Sequence, residues 1–521
     1  MKIFFKESGL SADLVAGKTI LEYARELGVE INAPCNGEGK CNQCLVEVDS
    51  APGALSPMTE VERKVIEGEV HRLACQARVL RTTEPICVRV PRRSYCILES
   101  GRLWEIPIAP MVHREGDRVL YGADDISAYA GELYGIALDI GTTTLAMYLV
   151  DLETGHVLSV ISQENPQTRY ASNVISRIEF ARTGREKLVR ELIIVLNEMI
   201  TALTAPEKVY ELVVVGNSVM RDLFFGFSVE PLGRSPYEPV STKAVYKAAR
   251  ELGLTAHPKA AVYGLPLIGS FIGADTLAMV LATNMYRSRK LALAIDIGTN
   301  TEIVLGNQDR LIATSCAAGP AFEGCSVKYG IGGISGAIKE VRLVKGKARY
   351  KTILNAPPIG ICGSGLIDIL AELLEHRLID GRGKFYGTEK EFKIDRGITL
   401  SEADIDQLNL AKSAVAVGIK ILLDRYGVAL GDIDLIYLAG AFGNYTNLRN
   451  AMRIGLLPPI KRSKIEKVGN AAIEGARQAL VSVRKREDGE ALAARIEHIK
   501  LEEERDFIEK FVGELYFQQY L

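Results

Sequence analysis

The sequence predicts a multidomain protein in which a small α+β unit precedes a long α/β unit of two lobes. Three observations predict it. At 521 residues the chain is too long for one ordinary core. Four of its nine cysteines gather within residues 35–75. The segment IALDIGTTTLAMYLVDLETG, starting at Ile136, returns as LAIDIGTNTEIVLGNQD, starting at Leu293. Two similar strand-turn-strand units so far apart point to two lobes of like topology with a cleft between them.

Composition narrows the function. Hydrophobic residues make up 47% of the chain and charged residues 25%, enough apolar surface for large cores. Lys and Arg number 63 against 65 Asp and Glu, a net charge of -2, so no global basic field draws the chain to nucleic acid or to an acidic membrane. Charges interrupt the short apolar run of MKIFFKESGLSADLVAGKTI, so no signal peptide is expected there. No uninterrupted apolar stretch is long enough to cross a bilayer. A cytoplasmic protein is expected, whose cysteines serve as metal ligands or buried thiols rather than disulfides.

Residues 1–90 read as the first unit: KIFFKE and a second short strand, then TILEYARELGV as an amphipathic helix, then a loop of glycines and cysteines. Residues 91–131 mix charge, proline and aromatics with little clear period, so a linker or small middle region is expected, holding the one tryptophan, Trp104. Residues 132–521 alternate short apolar β-type runs with helical stretches. The tail from Glu487 to Leu521 is charged and helical, and FIEKFVGELYFQQYL is apolar enough to pack onto a lobe.

Cys35, Cys41 and Cys44 lie in APCNGEGKCNQCLVEV, a C-x5-C-x2-C run, and Cys75 follows in HRLACQARV. Four thiolates complete two tetrahedral irons, and three on one loop plus one distant suit a loop curled around a 2Fe-2S cluster. Gly37 and Gly39 permit the curl and let backbone N-H groups approach the sulfurs. Zinc also accepts four cysteines, although its sites usually pair two C-x2-C knuckles. With these residues, 1–90 resembles a β-grasp 2Fe-2S ferredoxin domain of the plant and vertebrate type, with the five-residue gap of the adrenodoxin-like subgroup. Cys87, Cys96, Cys316, Cys325 and Cys362 fall outside the pattern and are expected to be buried thiols.

DIGTTTLA from Asp139 and DIGTNTEIVL from Asp296 each put an acid, a glycine and hydroxyl residues at the end of an apolar strand. A turn bending at Gly141 or Gly298 can present N-H groups and the hydroxyls of Thr142, Thr143, Thr144, Thr299 and Thr301, with Asn300, to a phosphate chain, while the Asp holds hydrated Mg2+. Two ordinary hairpin turns are the plainer reading. The pair resembles the phosphate-binding hairpins of the superfamily of acetate and sugar kinases, heat-shock protein 70 and actin, which implies an actin-like ATPase fold of two lobes.

Later segments agree. YLAGAFGNY resembles that superfamily's adenosine motif, which puts Gly440, Ala441 and Phe442 beside a purine; a glycine-rich turn is the alternative. GICGSGLIDIL turns at Gly363 and Ser364 into a helix, where free N-H groups favour an anion or nucleotide. GSFIGADTLAMV puts Asp275 at a helix start, either as a base or magnesium ligand or simply as a first-turn Asp. Asn217 in VVVGNSVM either faces the cleft or serves the turn, and Glu323 lies in a glycine-rich segment that either closes over phosphates or forms loops.

The whole chain resembles the reductive activators of corrinoid proteins, on LACQ around Cys75, VISRIEFA around Arg177, VVVGNSVM, GADTLA, AIDIGTNTE, GICGSGLID and YLAGAFGN. The resemblance implies ATP-dependent reduction of a cob(II)amide cofactor to cob(I)amide on a corrinoid protein of a methyltransferase system. It implies a 2Fe-2S cluster on Cys35, Cys41, Cys44 and Cys75, ATP and Mg2+ near Asp139, Asp275 and Asp296, a low-potential upstream electron donor, and a homodimer. The C-terminal 4Fe-4S cysteines of some relatives are missing here, which points to the 2Fe-2S subgroup. Two other functions keep the same motifs: a small-molecule kinase with a ferredoxin appendage, and a nucleotide-binding redox sensor.

Overall fold

The structure, a computed structural model, describes residues 1–6, 9–29, 31, 33, 44–63, 66, 71–90 and 102–517, with only the backbone at 441, 442 and 444. The first unit holds β1 (Lys2–Phe5), β2 (Ser11–Asp13), α1 (Ile20–Leu27), β3 (Leu45–Asp49), α2 (Glu60–Arg63), β4 (His71–Leu73) and β5 (Ile86–Arg89). β1 alternates exposed and buried residues, so Ile3 and Phe5 point to one face. The sheet order among the described residues is β2-β1-β5-β3-β4. α1 starts at a capping box, Thr19 with Glu22, and ends at Gly28 with φ 71, a left-handed stop that suits glycine. Its Ile20, Leu21, Tyr23 and Ala24 close the sheet face into a core with Val46 and Ile86.

Sequence reading expected little period in the connector, but β6 (Val112–Glu115), β7 (Arg118–Tyr121) and β8 (Asp124–Ala128) form an antiparallel meander. Only Val112 and Val119 are fully buried in it, which is why the alternation is faint in the sequence. The residues before it lean on a distant helix: Trp104 N donates to Glu474 Oε1 at 3.2 Å, and Arg477 Nη2 donates to Trp104 O at 2.8 Å.

The first lobe follows with β9 (Tyr134–Ile140), β10 (Thr144–Asp151), β11 (Val157–Glu164), α3 (Val174–Leu203), β12 (Val209–Gly216), α4 (Ser218–Phe225), β13 (Val245–Ala248), β14 (Ala261–Gly264) and α5 (Ala274–Thr283). Its sheet order is β11-β10-β9-β12-β14-β13. β9 to β11 are antiparallel neighbours, and β12 returns parallel to β9 and to β14. β12, VYELVVVG, is buried along its whole length, as a parallel strand covered on both faces should be.

The second lobe opens with β15 (Ala292–Ile297), β16 (Thr301–Gly306) and β17 (Leu311–Cys316), then β18 (Ala337–Val344), β19 (Lys347–Thr352), β20 (Gly360–Ile361) and α6 (Gly363–Glu375). It continues through β21 (Glu391–Asp395), β22 (Ile398–Ser401), α7 (Glu402–Tyr426), β23 (Leu435–Ala439), α8 (Gly440–Tyr445), α9 (Leu448–Arg453) and β24 (Ile465–Gly469). α10 (Ala471–Val481), α11 (Val483–Arg495), β25 (Glu497–His498) and α12 (Phe507–Glu514) complete the chain. The order β24-β23-β15-β16-β17 repeats β14-β12-β9-β10-β11 strand for strand, so the repeated hairpins sit at equivalent corners of two like sheets.

α10 is buried throughout and crosses back to the first lobe, where Gly475 lies so close to α5 that a Cβ would stand 2.0 Å from Ala278 O. One apolar core therefore takes side chains from β9, β12, α5, β15, β16 and α10. Among the described residues no helix is long and apolar enough to cross a membrane.

Candidate functional site

The turn after β9 is shaped from behind. Gly141 N donates to Thr144 O at 2.9 Å, and a Cβ on Gly141 would meet that oxygen at 2.6 Å. Three neighbouring carbonyls are drawn backwards: Asn165 Nδ2 donates to Gly141 O at 2.8 Å, Arg177 Nη2 donates to Thr142 O, and Asn165 N donates to Thr143 O at 2.8 Å. The amides of Thr142 and Thr143 meet no acceptor among the described residues. A peptide whose carbonyl is pinned on one side turns its N-H to the other, which is how a backbone anion nest is made. Asn217 caps α4 through Met220 N, the turn role its position suggested, and also donates Nδ2 to Thr142 Oγ1 at 2.9 Å.

In the equivalent turn after β15, Gly298 N donates to Asn300 O at 3.2 Å and Gly319 N donates to Thr299 O at 2.9 Å. Thr301 is fully buried and its hydroxyl has no hydrogen-bond partner among the described residues. An orphaned buried hydroxyl is costly unless something outside the protein satisfies it. Glu323 links the two turns: it accepts from Thr299 Oγ1 at 2.8 Å and from Thr143 Oγ1 at 3.4 Å.

Asp139 and Asp296 end β9 and β15 in the same relation to their turns, and Asp275 lies in the first turn of α5 with Oδ1 accepting from Thr276 N at 2.7 Å. The three carboxylates share one electrostatic neighbourhood. Burial pushes Asp139 up to about 7, with the Asp275 charge adding and the Asn470 Nδ2 bond at 2.9 Å opposing. Burial pushes Asp296 up to about 7, helped by the charges of Asp275 and Asp139, and pushes Asp275 up to about 6. Glu302 faces Asp296 directly across β15 and β16, and burial with the Asp275 and Asp296 charges lifts it well above the carboxylate range. Backbone crowds in as well: a Cβ on Gly440 would lie 2.6 Å from Asp296 Oδ1, and one on Gly273 would lie 2.6 Å from Asp275 Oδ1.

Like charges held together without water favour a divalent cation or a proton. Among the described residues no three His, Cys, Asp or Glu side chains are grouped so as to hold a metal ion among them. Other expected residues are placed less openly. Gly363 and Ser364 start α6 on a buried turn, and Ser364 Oγ donates to Lys339 O at 2.8 Å, so its hydroxyl is committed to packing. Gly440 opens α8 with Ala441 and Phe442 in its first turn, whose side chains lie outside the described ones.

In the first unit Cys44 and Cys75 are both buried in the same core, and Ala74 N donates to Cys44 O at 2.8 Å, setting the two cysteine segments side by side. Gln76 Nε2 donates to Cys75 Sγ at 3.5 Å. Beneath them, buried Glu62 accepts from Arg72 Nε at 2.9 Å and Leu73 N at 3.1 Å, bracing the strand that delivers Cys75. Cys35 and Cys41 lie outside the described residues.

Sequence reading missed Asn165, Glu302 and Asn470, and treated Arg177 only as part of a motif. Glu302 alone left a signal: in DIGTNTE the acids are symmetric about the turn, so a hairpin must set them opposite each other.

A ferredoxin-type sheet ahead of two lobes of matched topology, with hairpins and carboxylates between them, defines an iron-sulfur protein built on the ASKHA fold. The family model described as the C-terminal domain of RACo, the ASKHA domain, matches residues 290–520; the RACo middle region matches 134–288, and a 2Fe-2S iron-sulfur cluster binding domain matches 3–80. The chain is 30% identical to the corrinoid activation enzyme RamQ of Eubacterium limosum across 98% of both chains. It is 28% identical to the [Co(II) methylated amine-specific corrinoid protein] reductase of Methanosarcina barkeri over 74% of this chain and 77% of that one. A solved structure of a reductive activator for corrinoid, iron-sulfur protein superposes with a TM-score of 0.72 at 28% identity, covering 99% of this chain and 98% of the other. The chain belongs to the RACo family of corrinoid-protein reductive activators.

Proposed function

We propose that this chain is an ATP-dependent electron-transfer activator that passes one electron to the cobalt of a corrinoid protein, taking cob(II)amide to cob(I)amide. The observation that carries the reading is the union, on one chain, of a 2Fe-2S domain with a cleft where hairpins 141–144 and 298–301 meet across Glu323. Cys35, Cys41, Cys44 and Cys75 would hold a 2Fe-2S cluster, which when bound supplies single electrons at low potential. The amides of Thr142 and Thr143, which meet no acceptor among the described residues, and the turn residues Thr144, Thr299, Asn300 and Thr301 suit nucleotide phosphates. Asp139, Asp275 and Asp296 suit hydrated Mg2+ and the orientation of a water. Gly440 to Phe442 and the uncapped start of α6 at Gly363 suit the nucleoside end.

ATP serves here as an energy source. Each 100 mV of uphill transfer costs about 2.3 kcal/mol, so an ATP-linked change of lobe arrangement can drive a reduction that the electron carrier alone does not. The partner is a corrinoid protein of a methyltransferase system, the electrons come from a low-potential donor, and the protein acts in the cytoplasm as a homodimer. Anaerobic visible spectroscopy tests this: the reduced protein is mixed with a cob(II)amide protein from its own gene cluster, with and without Mg-ATP. Cob(I)amide formed only with ATP supports the reading, and formation indifferent to ATP overturns it.

A further inference from the structure

Arg177 is, with Arg221, one of the two largest fully buried side chains among the described residues, and no charged neighbour among them balances it. It enters from the first turn of α3, beneath the turn that follows β9. Every acceptor it meets is neutral: Thr142 O, Ala171 O at 3.2 Å, Gln167 Oε1 at 3.2 Å and Met220 Sδ at 2.8 Å. No carboxylate among the described residues forms an ion pair with it. The other fully buried arginine, Arg221, follows the usual rule and pairs with Asp222 at 2.9 Å.

An unpaired buried cation is a cost that a fold does not normally retain, since apolar residues of similar volume are often neutral or stabilising in its place. Arginine cannot escape by losing its proton at neutral pH. Burial lowers Arg177 only to about 9, so the charge persists there. Its neighbours are arranged around it: Gln167 N donates to Asn165 Oδ1 at 3.0 Å, and Asn165 in turn holds the carbonyls of Gly141 and Thr143. The guanidinium thus completes a brace on the carbonyl side of the turn, while the amides of Thr142 and Thr143 meet no acceptor among the described residues.

We propose that Arg177 is a positioning residue for the anionic part of the nucleotide: it holds the hairpin with its amides outward and supplies a buried positive charge that the polyphosphate balances. This rests on the reading of hairpin 141–144 as a phosphate-binding turn. Arg177 touches no ligand; it acts through the Thr142 carbonyl and through its field.

The test compares ATP with uncharged adenosine on the full, cluster-loaded chain, by anaerobic calorimetry and thermal shift. In Arg177→Met the ATP-to-adenosine affinity ratio is expected to fall about tenfold or more, as loss of a charge-assisted contribution to anion binding predicts. The ligand-free unfolding temperature is expected to stay level or rise. Arg177→Lys, which keeps the charge, is expected to retain a ratio within about threefold of the wild type. An unchanged ratio in the Met variant overturns the inference, as does equal loss in the Lys and Met variants. If the Met variant does not fold, Arg177→Gln carries the same comparison. A wild-type protein that binds ATP no better than adenosine sinks the phosphate-binding reading itself, which separates the two failures.

Discussion

Thr143 and Glu323 join the two lobes at their hairpins: Thr143 Oγ1 donates to Glu323 Oε2 at 3.4 Å while the same carboxylate accepts from Thr299 Oγ1 at 2.8 Å. One acid thus takes hydroxyls from both turns. Burial raises Glu323 from its ordinary value, with the threonine bonds pulling it back. Its charge should repel a polyphosphate. Glu323→Gln keeps an acceptor and removes the charge, so metal-free ATP affinity is expected to rise several-fold in a fluorescent-nucleotide titration with chelator. Glu323→Ala also strips the bridge and is expected to cost about 1–3 kcal/mol of stability in denaturant unfolding.

Asp139, Asp275 and Asp296 make stability depend on pH in an unusual sense. Each is raised in the folded protein from an ordinary 3.8 to about 7, 6 and 7 respectively, so between those limits the native state binds more protons than the unfolded one. Stability then falls as pH rises through that window. Calorimetric melts of the cation-free protein should show this decline, and the Asp139→Asn, Asp296→Asn double variant should flatten it. Mg2+ favours the ionised forms and should raise the melting temperature more at about pH 7.5 than at about pH 5. A cation effect independent of pH would contradict the arrangement.

Cys75 lies in the turn just after β4, in a core separate from that of the cleft. Cys75→Ala is expected to abolish the visible absorption of an iron-sulfur centre and ATP-dependent corrinoid reduction, with ATP-induced thermal stabilisation of the lobes retained. Absorbance measured beside a thermal-shift titration checks both halves.

Arg486 of α11 reaches Glu211 of β12 through two bonds of 2.8 Å, and Arg486 Nε donates to Ala479 O at 2.7 Å. Both side chains are nearly inaccessible. Glu211→Ala leaves the cation buried and unpaired, an expected loss of about 3–5 kcal/mol. The double change Glu211→Leu, Arg486→Met should recover most of it, and urea unfolding of the set measures the coupling.

The hairpins were legible in the sequence because each is made by neighbours in the chain: an apolar strand, a glycine bend and hydroxyl residues fit within ten positions. The matched flanks of Asp139 and Asp296 also predicted the repeated topology. The connector was less legible, because its meander buries only Val112 and Val119 completely and Trp104 before it leans on Glu474 and Arg477, far along the chain. The bond from the Ser364 hydroxyl to Lys339 O joins segments 25 residues apart and left no mark in the sequence.

By itself the sequence determined the local chemistry: which strands form, where they turn, and which acids, hydroxyls and cysteines stand at those turns. Only the tertiary structure decided how those groups are poised. Asn470 reaches Asp139 across 331 residues because α10 returns to the first lobe, and Arg177 reaches Thr142 because α3 passes beneath the hairpin. Desolvation and charge coupling act through space and depend on what folds over a residue, so the raised carboxylates and the unbalanced arginine exist only once distant segments have packed around them.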